Sequence, residues 1–72
     1  MNEAMIKEAL EGEFPGATID VQLDGSHCQV IVVSDVFEGL RPVARQQLVY
    51  APLGEFIRSG ALHAVNIIAK TP

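Results

Sequence analysis

The sequence predicts an α+β domain: a two-layer fold with a three-stranded sheet and helices on one face, ordered α-β-β-α-(α)-β. Three observations predict it. Residues 18–23 alternate apolar and polar, with Ile19, Val21 and Leu23 facing one way and Thr18, Asp20 and Gln22 the other. An Asp24-Gly25 turn signal separates that stretch from the almost wholly apolar residues 28–33. Apolar spacings of three and four residues mark helices before and after this hairpin.

Asn2 predicts an N-cap, and Glu3 suits the positive end of a helix dipole. The pairs Met5 with Ala9 and Ile6 with Leu10 carry a helix over residues 3–13. Pro15 and Gly16 end it. The hairpin follows. Its second strand is so apolar that it reads as the centre of the sheet, covered on most of both faces. Residues 34–42 connect, with Gly39 as a breaker and Pro42 in the first turn of the next helix. Pro52 conflicts with a helical carbonyl at Leu48, so a kink or two short helices are expected near Ala51. Gly60 caps the end. The third strand is read over residues 61–69, with His63, Val65, Ile67 and Ala69 on its more apolar face, and returns beside a hairpin strand.

Seventy-two residues make a single domain, 1–72, with a thin core. The single cysteine excludes an internal disulfide and fits a reducing, cytoplasmic setting. The acidic start MNEAMIKEAL reads as neither a secretory signal nor a transit peptide, and no stretch is long enough for a membrane span. A formal charge of −4 weighs against general affinity for nucleic acid.

Little points to catalysis. No P-loop is present, and His27 and Cys28, as neighbours on an extended strand, point to opposite faces. A closed zinc site needs about four ligands, and two histidines with one cysteine fall short. A partial site is possible if His27, before the second strand, and His63, at the third, meet at one edge. Each also has a plain reading: His27 as a solvated turn residue, Cys28 as a small core residue, His63 as a hydrogen-bonded rim residue. Arg41 and Arg45 are spaced to share a helix face, with Arg58 beyond them and Tyr50 and Phe56 nearby. They read as a patch for duplex DNA, an ordinary solvated face, or a site for an acidic protein. A structural interaction module without metal is a further reading.

The motifs taken together resemble a known family. Gly25-Ser26-His27 before a valine-rich strand, Phe37-Glu38-Gly39, the stretch RQQLVY from Arg45 to Tyr50, and LHAV from Leu62 running to Lys70-Thr71-Pro72 are similar to the BolA-like family and its short bacterial IbaG-type branch. The resemblance implies a fold like the class II KH domain and a role in stress response. It implies a non-enzymatic partner of a monothiol CGFS glutaredoxin. The two would share a two-iron, two-sulfur cluster with glutathione in iron–sulfur trafficking or iron and redox regulation. It implies His63 and His27 as the cluster ligands, with no cluster expected on the isolated chain. Some relatives are described as DNA-binding regulators acting through the central helical region, here the stretch from Arg41 to Tyr50. Two departures stand out. Cys28 occupies a place where relatives carry an aromatic residue, either as a smaller packing group or as a substitute ligand for His27, thiolate being the softer iron ligand. Relatives also often continue past the position of Pro72 into a short helix.

Overall fold

The computed structural model describes residues 1–72. Helix α1 spans Glu3–Glu13. Asn2 Oδ1 accepts from the Met5 N–H at 2.9 Å, the N-cap the sequence predicts. Gly16, at φ 81°, turns the chain into β1 (Thr18–Asp24). β2 (His27–Val33) returns antiparallel. A 3₁₀ turn at Asp35–Phe37 leads to α2 (Pro42–Tyr50), with Pro42 at its first position. The helix ends where Pro52 requires: a 3₁₀ turn, Ala51–Leu53, separates it from α3 (Gly54–Arg58). β3 (Ala64–Lys70) then pairs parallel with β2, giving the sheet order β1-β2-β3.

One face of this sheet makes the core. Ile19, Cys28, Val30, Val32 and Ile67 pack against Ile6, Leu10, Phe14, Phe37, Val49, Leu53 and Leu62 from the helical side. Phe14 and Phe37 meet with ring centroids 5.6 Å apart. All twelve buried residues are apolar, and no buried side-chain polar atom lacks a partner.

Two sequence expectations are corrected. β2 is central, but helices cover only one of its faces. On the other face Gln29, Ile31 and Val33 are half-buried by their neighbours within the sheet, with no second layer above them. The third strand begins at Ala64, three residues later than the apolar pattern implies. Gly60, at φ 82°, reverses the chain; Leu62 then plugs the core, and its N–H donates to the Phe56 carbonyl at 3.0 Å. Residues 61–63 spend their apolar character on that plug, not on the sheet ladder.

The helical layer also places one side-chain bond on each edge strand. Glu3 Oε2 accepts from the outward N–H of Leu23 on β1 at 2.7 Å. Gln46 Nε2 donates to the Ile67 carbonyl on β3 at 2.7 Å. An unpaired edge is a template for pairing with another chain, and each bond blunts one. No helix is long and apolar enough to cross a membrane.

A histidine corner at the turn end of the sheet

The hairpin loop is two residues, Gly25 and Ser26, closed by the pair Asp24 and His27. Gly25 has φ 61° and no other residue of the loop has positive φ, the pattern of a type II′ turn, which follows the natural twist of the strands. The Ser26 carbonyl then accepts from the His63 N–H at 2.9 Å and from the Ala64 N–H at 3.4 Å. That pair of bonds fixes the start of β3 against the turn and sets the register in which His27 opposes Ala64.

The two histidines, far apart in sequence, therefore share one end of the sheet. At one strand spacing and one residue of offset, their backbones stand roughly 6 Å apart. Both side chains are exposed. His27 lies on the open face of the sheet, in a row with Asp24 and Ala64. His63 stands just ahead of β3, at the rim, and not in the apolar row of Val65, Ile67 and Ala69.

Cys28 is placed differently. It is 4% exposed, on the helix-facing side in a row with Leu23 and Val65. Burial, and then the negative charge of Glu3, push its thiol pKa up. A thiol so placed is a packing group, and on the opposite face from His27 it is poorly positioned to replace that imidazole. No three His, Cys, Asp or Glu side chains converge to hold a metal. Two imidazoles at the corner fall short of the donor set of a closed metal site.

The arginines do not gather into a free basic patch. Arg41 is the exposed residue preceding α2. Arg45 is half-buried and its Nε donates to the Leu40 carbonyl at 3.0 Å. Arg58 pairs with Glu55 at 2.9 Å. Two of the three cations are thus engaged within the protein.

Beside His27 the open face forms a concavity of about 560 Å³. Its lining includes Asp24, Gln22, Gln29 and Asn66, with Glu3 at the edge. The sequence reading passed over these amides. The one available signal was the polar face of β1, which marks Gln22; only the register brings Gln29 and Asn66 beside it.

Comparison with known proteins places the chain in a family. The family pattern described as BolA-like protein matches residues 11–72. A protein of the rpoN-murA intergenic region of Acinetobacter guillouiae is 45% identical over 71 residues, covering 99% of this chain and 86% of that one. The acid stress protein IbaG of Escherichia coli is 50% identical over 54 residues, covering 75% of this chain and 64% of its own. Thus this chain matches somewhat less than two thirds of the IbaG length. Among solved structures, BolA1 of Arabidopsis thaliana superposes with a TM-score of 0.88 at 34% identity, covering 100% of this chain and 94% of that one. By its sequence, its fold and these relatives, the chain belongs to the BolA-like family.

Proposed function

We propose that the chain is a non-enzymatic adaptor that carries a two-iron, two-sulfur cluster as shared cargo with a monothiol CGFS glutaredoxin and glutathione. His63 and His27 are its ligands, and Cys28 is not. One observation carries the reading. The only two histidines in the chain are exposed at a single corner, tied there by the Ser26 carbonyl.

The chemistry supports it. Neutral imidazoles in place of thiolates leave a cluster less negatively charged and raise its potential, as in Rieske-type centres. Imidazole titrates near ~6.5, so mild acid competes with the metal for it. A pair of imidazoles without a third donor converging on them holds cargo only while a partner supplies the remaining ligands. That suits transfer or sensing better than permanent storage. It also accords with membership of a family that includes a protein named for acid stress. The alternative, regulation by binding duplex DNA through Arg41, Arg45 and Arg58, draws less support, since two of those guanidinium groups already have partners.

The test is anaerobic reconstitution. Mixing the chain with a monothiol glutaredoxin, glutathione, iron and sulfide should give a visible absorption and circular-dichroism spectrum distinct from that of the glutaredoxin homodimer. His63→Ala and His27→Ala should each weaken that species. A spectrum indifferent to His63→Ala would reject the ligand assignment.

A further inference from the structure

The geometry points to a second use of this end of the sheet: the concavity beside His27 is a recognition site for an extended polypeptide segment carrying basic side chains. The inference goes beyond the cluster-sharing reading and holds whether or not iron and sulfide are carried.

The open face at this end is built of successive rows across the three strands. Gln22, Gln29 and Asn66 are register partners and form a row of carboxamides. Asp24, His27 and Ala64 form the row at the turn. Between them, Leu23, Cys28 and Val65 turn their side chains to the core, so the floor there is backbone. Ala64 offers only a methyl group beside His27, which leaves the concavity open.

The carboxamides are unspent. None of the three makes a hydrogen bond within the protein, whereas Gln46 is committed to the Ile67 carbonyl. Each carboxamide offers donors and an acceptor together, the same complement as a peptide unit. Three of them at a strand spacing of about 4.8 Å can be bonded in turn by one chain lying across the sheet.

Charge selects among such chains. Asp24 and Glu3 flank the site without a cation; the one ion pair in the protein is Arg58 with Glu55. Lys70, the cation of the open face, lies at its far end opposite Val33. The field over the site is therefore negative and complements a basic segment. A shallow site leaves a small molecule largely wet, while an extended chain bonds along the whole row. The site is also continuous with the histidine corner, so a partner seated there reaches both.

The test uses the full chain labelled with nitrogen-15 and two blocked peptides, Ala-Arg-Ala-Arg-Ala and Ala-Glu-Ala-Glu-Ala. The arginine peptide, at up to about 10 mM, should shift the side-chain amide signals of Gln22, Gln29 and Asn66 and leave those of Gln46 and Gln47 in place. The glutamate peptide should shift none of them. Gln29→Leu, an exposed-face change checked for folding by far-ultraviolet dichroism, should weaken binding about fivefold, as expected for a lost hydrogen bond. Asp24→Asn should weaken it similarly and flatten its dependence on salt. Overturning results are an absence of shifts with the arginine peptide, equal shifts with both peptides, or binding unchanged in both variants.

Discussion

Whether Cys28 can serve as a ligand has a direct answer in its reactivity. At 4% exposure the thiol meets a bulky reagent only when the packing around it opens. A domain of 72 residues, at a stability of roughly 0.05–0.15 kcal/mol per residue, unfolds globally at a cost of about 4–11 kcal/mol. Even a partial opening that costs less than global unfolding, about 3 kcal/mol, suppresses reaction by about 100-fold or more. Reaction without opening is slowed as well, because burial and the Glu3 charge hold the thiol protonated above its ordinary range. The assay is colorimetric disulfide exchange at pH 8, native protein against protein in guanidinium chloride. We expect the native rate to be slower by at least that hundredfold, and Cys28→Ala to leave the cluster-loaded complex intact. The same burial has a pH signature. The folded thiol holds its proton more tightly than the unfolded one, so its stabilising contribution is full below the unfolded pKa. It is lost as pH rises from there through the folded pKa, with a slope of at most about 1.4 kcal/mol per pH unit. Cys28→Ala should remove that alkaline decline. A native exchange rate within about tenfold of the denatured one would mean an opening cost below about 1.4 kcal/mol, and the placement of Cys28 as a core residue would be wrong.

Three further outcomes follow from the packing. Glu3→Gln weakens the bond that closes the β1 edge at Leu23 and should cost about 1 kcal/mol in urea unfolding, while its lost charge brings the Cys28 pKa down. Gly25→Val forces a β-branched residue to φ 61° and should cost about 1–2 kcal/mol; by loosening the turn it should also reduce the yield of the shared-cluster species in reconstitution. Leu53→Ala empties a fully buried position beneath the Pro52 turn and should cost about 2–5 kcal/mol, lowering the melting temperature by roughly 4–8 °C for each of them.

The elements whose signals are local were legible in the sequence. Asn2, Gly16, Pro42, Pro52 and Gly60 each act on their own turn of backbone, and each stands where its chemistry requires. The alternation of β1 likewise assigns Ile19, Val21 and Leu23 to the core side. The start of β3 was not legible, because Leu62 satisfies a strand pattern and a core plug equally well and only the packing decides. The site was half legible. Residue type identified His27 and His63 as candidates, but their meeting depends on a long-range bond from Ser26 that no local pattern announces. The carboxamide row has the same origin: Gln22, Gln29 and Asn66 are unexceptional one by one, and the pairing register alone makes them a surface.

The two edge bonds constrain how anything can bind. A three-stranded sheet ordinarily offers partners three approaches: either edge, by strand addition, or its uncovered face. Here Glu3 occupies an outward donor of β1, and Gln46 occupies an outward acceptor of β3. An added strand would have to displace a side chain already hydrogen-bonded at each, at about 1 kcal/mol apiece before any new bond forms. The open face and the turn end carry no such obstruction. There three carboxamides, the Asp24 carboxylate and both imidazoles have side chains free of hydrogen bonds within the protein. The helices thus meet the open face at this end of the sheet only at its β1 edge, through Glu3. By bonding to both edge strands, they leave the open face and the turn end, where the two histidines stand, as the unobstructed approaches.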